Sequence, residues 1–193
     1  MLSAHTLHIP AACSGWSLIM QSGVLVPVTV GKPLQRVLED ELRIPAELLK
    51  QIDVLLLDGK PVDEPEKTLV PDGSRLALAS GLPGIAGLAM KSGSAVRGLR
   101  PGITHQESGQ DDMQERPGHI ELALFSLTLP LLAPHFLGNG VLVPASRVLP
   151  YLRPAITPSC ILDGAPCTIE DAVHTLQSVA EDALIRLTAD LAD

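Results

Sequence analysis

Three side chains able to hold a metal stand in the second half of the chain: His119, Cys160 and Cys167. One imidazole and two thiolates make a ligand set for zinc, and Glu121 follows His119 closely enough to move protons beside it. That is the logic of the zinc-dependent nucleoside and base deaminases. Their signature needs a Pro-Cys-x-x-Cys word, and Cys160 and Cys167 are spaced more widely. A histidine beside an apolar run is ordinarily a hydrogen-bonded, partly buried side chain, and a cysteine is often just a small buried hydrophobe. A zinc enzyme using His119, Glu121, Cys160 and Cys167 therefore ranks third among the readings, and no cofactor is expected on the first two.

The other titratable clusters are weaker. His5 and His8 can share a helix face, but no carboxylate or cysteine follows until Cys13, and a tail is the expected structure, with a short edge strand over 6–9 as the alternative. Asp111, Asp112 and Glu115 form an acidic run among glycines, the kind that water normally solvates. Lys91, Arg97 and Arg100 stand in a glycine-rich stretch whose amides and cations suit an anion or a docking partner, although no phosphate-loop word is present. The words for serine hydrolases, zinc proteases and dinucleotide binding are absent too, which weighs against an enzyme.

The elements that must position these residues begin in residues 16–87. Apolar runs at 17–20 and 24–30, separated by Gln21-Ser22-Gly23, read as a hairpin, with Pro27 marking an edge or a bulge. Pro33 then opens a helix in which Leu34, Val37, Leu38 and Leu42 recur at helical spacing, and 45–50 reads as one more helical turn. Strands follow at 54–57 and 76–79, set off by Asp58-Gly59 and Asp72-Gly73, pairs that favour tight reversals. The expected order is ββαββ.

Residues 81–117 are broken by seven glycines and read as a flexible linker. Beyond it, 120–132 is so apolar that a buried helix and two strands fit equally. A strand is expected at 141–143 and another entering the Asp163-Gly164 turn. The chain is expected to close in a helix over 168–191, capped by Thr168, with Ile169, Val173, Leu176, Val179, Ala180, Leu184, Leu187 and Leu191 as its apolar stripe. Two words recur: Gly-Val-Leu-Val-Pro at 23–27 and 140–144, and Leu-Asp-Gly-x-Pro at 57–61 and 162–166. Chance recurrence of strand and turn words accounts for them more readily than duplication does.

The strand, the Asp-Gly-Lys-Pro-Val word, the acidic connector and the run Thr-Leu-Val-Pro-Asp-Gly-Ser-Arg-Leu-Ala-Leu-Ala, with its glycine-rich end, resemble the ubiquitin-like β-grasp sulfur carriers of molybdopterin and thiamine synthesis. The resemblance covers about residues 16–87 and implies a β-grasp fold for them. It also implies a carrier tail at Gly84 or Gly87, but the carriers end in a free Gly-Gly, whereas this chain continues well past both glycines.

The expected architecture is thus α/β (α+β): a β-grasp domain over 1–87, a glycine-rich segment over 88–118 and a smaller α/β unit over 119–193 ending in an amphipathic helix. Hydrophobic residues make up 46% of the 193, enough for a substantial core, while aromatic residues make up only 2%, so stacking platforms are scarce. A net charge of −8 argues against nucleic acid or an anionic membrane as the general partner. Three cysteines suggest no disulfide framework, and residues 1–31 carry no Lys or Arg to begin a signal peptide, so a cytoplasmic location is expected. The first-ranked function is a non-enzymatic adaptor that binds a protein partner, with a homo-oligomer allowed. The second is a sulfur carrier or ubiquitin-like modifier activated by cleavage in the glycine run at 81–87.

Overall fold

The computed structural model describes residues 5–81, Gly84, Met90 and 114–191. The fold is mixed α/β, with ten strands among the described residues. Two compact units divide it: a central one, Val26–Leu131, and a terminal one made of Met1–Leu25 with Leu132–Asp193. This division differs from the one composition suggests, because the first strand of the chain pairs with the last.

In the central unit the strand order is β4-β3-β5-β6-β2. β2 is Val24–Val30, β3 Val54–Leu57, β4 Lys60–Pro61, β5 Arg75–Ser80 and β6 Arg116–Ser126. β3 and β5 are antiparallel, whereas β5 and β6 are parallel in a register running from Arg75 opposite Glu121 to Ser80 opposite Ser126. The helical spacing of Leu34, Val37, Leu38 and Leu42 is realised: α1, Leu34–Arg36, continues as a π-helical turn over Val37–Glu41, and all four side chains are buried. The turn widens because the Leu42 N–H reaches back to the Val37 carbonyl, 2.8 Å away. A short α2, Ala46–Leu49, comes next.

In the terminal unit the order is β7-β10-β1-β8-β9. β1 is His5–Ala12, β7 Val141–Pro144, β8 Cys160–Leu162, β9 Ala165–Cys167 and β10 Leu184–Leu191. β1 runs parallel to β10 and antiparallel to β8. Leu7, Ile9, Ile185, Leu187 and Ala189 alternate onto a buried face, leaving Thr6, His8, Arg186, Thr188 and Asp190 on the other. The helices are a 3-10 helix over Ser14–Ser22, α3 over Thr128–Asn139, which begins in the central unit, α4 over Ala145–Val148, and α5 over Ile169–Ser178. Ala172 and Leu176 form the buried face of α5.

Each unit therefore has a central parallel pair. A strand and its two- or three-residue hairpin partner lie on one side, and a Gly-Val-Leu-Val-Pro strand lies on the other. The two Asp-Gly turns take the same left-handed form, with φ of 51° and 77° at Asp58-Gly59 and 51° and 82° at Asp163-Gly164. The repeated words thus occupy equivalent places.

Four expectations need correction. Residues 17–20 are not a strand but part of the 3-10 helix, which buries Trp16, Ile19 and Met20, so the opening hairpin does not form. The run 120–132 is a strand to Ser126 and a helix from Thr128, the reversal fixed by the Thr128 hydroxyl, which donates to the Leu78 carbonyl at 2.8 Å. The closing helix stops at Ser178; Val179 is extended, and the chain then runs into β10. Finally, residues 5–12 are not a tail: the strand open as an alternative at 6–9 forms, but it is longer and lies inside the sheet instead of at an edge.

Candidate functional site

A concavity lies in the terminal unit, where the segment after the 3-10 turn Leu149–Tyr151 passes the start of α5. Leu152, Pro154, Ile169 and Val173 supply apolar walls to a groove of about 580 Å³, with Thr168 and Glu170 at its margin. Ile169 and Val173 are one helical turn apart, beside the stripe that Ala172 and Leu176 bury, so they remain half-buried and form a second apolar strip. Thr168 fixes where α5 starts: its hydroxyl oxygen accepts the Asp171 N–H at 3.1 Å, as the capping residue was expected to do. With Glu170 and Asp171 in the first turn, the groove combines apolar walls with negative charge.

The residues expected to ligate zinc are distributed between the units. Cys160 and Cys167 lie opposite each other in the β8–β9 hairpin with sulfurs 3.3 Å apart. Burial, and then the neighbouring Cys167 thiol, push the Cys160 thiol up to about 12. His119 belongs to the central unit, where its imidazole Nδ1 is 3.2 Å from Asp72 Oδ1 and its backbone N–H donates to the same oxygen at 3.0 Å. Arg116 reaches the other carboxylate oxygen at 3.0 Å. The His119 N–H foremost, and then Arg116, hold Asp72 below the usual carboxylate range. This cluster ties the 71–74 turn to the start of β6. Among the described residues no group of three or more His, Cys, Asp or Glu side chains is placed to hold a metal.

Compared with protein-family models, with curated proteins and with solved structures, the chain matches none.

Of the carrier-tail glycines, Gly84 is exposed with open space around it. Gly87, Lys91, Arg97 and Arg100 lie outside the described residues. Sequence reasoning missed a polar patch on the outward face of β1 and β10. There His8 Nδ1 is 3.0 Å from the Thr188 hydroxyl and His8 Nε2 is 3.5 Å from Asp190. Beside it, Asp163 accepts the Thr6 N–H at 2.8 Å and pairs with His5 at 2.7 Å. Those two partners, the Thr6 N–H first, keep the Asp163 carboxyl below its ordinary range. The signal available was the strict alternation Ile185, Leu187, Ala189.

Proposed function

We propose that this protein is a protein-binding adaptor whose docking site is the groove at the start of α5. The observation that carries the reading is the apolar lining of a groove of about 580 Å³ by Leu152, Pro154, Ile169 and Val173. Apolar walls exclude water from an inserted side chain and supply binding energy, while Glu170 at the margin selects the charge of the residues that flank it. The partner this chemistry fits is a peptide segment with one or two aliphatic or aromatic anchors next to a Lys or Arg, and the net charge of −8 favours the same partner at long range.

The helix between the strands of the central unit supports keeping a β-grasp relative as the reading of that unit, although the opening hairpin of the expected ββαββ order is absent and β6 adds a strand after β5. That addition favours the adaptor over the carrier. β6 follows the glycine run and lies directly beside β5 over six paired positions, so the residues after the run complete the sheet that the run leaves.

The adaptor reading is tested by selecting a displayed random-peptide library against the intact protein. An enriched consensus of apolar anchors next to a basic residue is expected, and its affinity should fall at least about tenfold in Val173→Arg, the cost of losing a small apolar contact and adding like charge. No consensus, or one that binds Val173→Arg equally well, overturns the assignment.

A further inference from the structure

A second concavity, separate from the α5 groove, opens on the outward face of the terminal sheet. Its volume is about 180 Å³, and Thr6, Leu7, His8, Ile161, Gly164, Arg186 and Thr188 line it. The strand register puts these side chains together: Thr6 is paired with Arg186, His8 with Thr188, and Ile161 with His8, and directly paired residues share a face.

Its chemistry is that of an anion receptor. Among the described residues no Asp or Glu lines it, whereas Arg186, His8, Thr6 and Thr188 do. The Thr6 hydroxyl is committed to Asp163 at 3.3 Å. The hydrogen-bonded pair of His8 and Thr188 has Asp190 on its far side, at 3.5 Å from Nε2.

Arg186 is seated, not loose. Its Nη2 donates to the Asn139 carbonyl at 3.0 Å, at the end of α3. The guanidinium rests over Gly140, where a Cβ would come within 2.9 Å of Nη2 and 3.1 Å of Cζ. Glycine at 140, with φ of 91°, therefore leaves the space that the guanidinium fills. One nitrogen anchored in this way leaves the rest of a planar fork to receive two oxygens of a ligand, with little side-chain entropy left to lose.

We propose that this depression binds a small oxyanion, a carboxylate or a phosphate, with Arg186 as the principal donor, the His8–Thr188 pair as the second, and Ile161 as an apolar wall. The proposal is independent of the α5 groove. Sodium butyrate and inorganic phosphate are the probes, titrated into the full-length protein at constant ionic strength and followed by the amide resonances of Thr6, Gly164 and Thr188.

Saturable shifts at these positions are expected, with a dissociation constant on the order of 1 mM for so small a ligand. Tighter butyrate assigns the natural ligand to carboxylates with a short apolar group against Ile161, and tighter phosphate assigns it to phosphates. Arg186→Gln should weaken the tighter probe about tenfold or more. Thr188→Val, which keeps the shape of a strand residue, should weaken it by a smaller factor and serves if Arg186→Gln is poorly folded. Shifts that stay linear and unsaturated with both probes, or affinities unchanged in Arg186→Gln and Thr188→Val, overturn the site.

Discussion

Cys160 and Cys167 face each other across the β8–β9 hairpin with their sulfurs 3.3 Å apart, both as free thiols. Cross-strand partners bring their Cβ atoms into the range that a disulfide spans. A peroxide should oxidise the pair: both S–H bonds break, an S–S bond forms, and the two protons and two electrons reduce peroxide to water. Intact mass should fall by two hydrogens and one alkylatable thiol, Cys13, should remain. The closed loop is short, so a gain in stability of about 2 kcal/mol is expected. Full alkylation of all three cysteines after peroxide would sink this expectation.

The same burial that keeps Cys160 a thiol makes the fold sensitive to alkali. Its pKa is raised from 9.0 in the open chain to about 12 in the folded one. A group whose folded value is raised contributes stability that is complete below the unfolded value and is lost as pH rises toward the folded one. Unfolding by urea should therefore become progressively easier between pH 9.0 and about 12, and Cys160→Ala should flatten that slope. An equally steep slope in the variant would place its origin elsewhere.

Asp72 gives the opposite dependence at acid pH. Its carboxyl is held below the ordinary 3.8, first by the His119 N–H and then by Arg116. A lowered folded value contributes stability present above the unfolded value and lost as pH falls through the folded one. Asp72→Asn should lower Tm at pH 7, and the gap from wild type should close as pH falls below 3.8. A gap that persists undiminished at pH 2 would mean that shape, not charge, is what Asp72 supplies.

What could be read from the sequence, and what could not, divides by distance along the chain. The α1 stripe, the Thr168 cap and both Asp-Gly turns depend on residues a few positions apart, and all three were legible. The second half of the expected closing helix was not. Leu184, Leu187 and Leu191 fit a helical stripe, while Ile185, Leu187 and Ala189 fit a strand, and the segment alone does not choose. Pairing with β1 chooses, and it joins residues such as His8 and Thr188 that are 180 positions apart. The polar face holding Arg186 was hidden for that reason. The α5 groove was half legible: Ile169 and Val173 belong to the expected stripe, but nothing local brings Leu152 and Pro154 against them.

Glycines of similar appearance should behave differently on substitution. A Cβ at Gly118 would lie 2.6 Å from Asp72 Oδ1 and 2.8 Å from Val30 Cγ1, so Gly118→Ala forces apart the 71–74 turn and β6. The expected loss is about 1–3 kcal/mol, the usual cost of overpacking. Gly59 has open space around it, and its φ of 77° is the only obstacle, so Gly59→Ala should cost about 1 kcal/mol. Urea titrations of the two variants should rank them in that order; the reverse order would show that Asp72 yields freely.

Trp16 offers a direct reading of the terminal unit, because it is the only tryptophan in the chain. Its side chain is fully buried, its ring lies 5.2 Å from that of Tyr151, and its Nε1–H donates to the Ile156 carbonyl at 3.2 Å. An indole in such a place emits at short wavelength and shifts to the red when water reaches it. Emission during unfolding should therefore report the moment at which the 3-10 helix leaves the Tyr151–Ile156 segment. Trp16→Phe keeps most of the apolar surface but leaves the Ile156 carbonyl without this donor, at an expected cost of about 1–2 kcal/mol. Trp16→Ala adds a cavity and should cost about 3–5 kcal/mol. Red-shifted emission from the native protein would contradict the burial of the indole, and with it the placement of the helix that carries it.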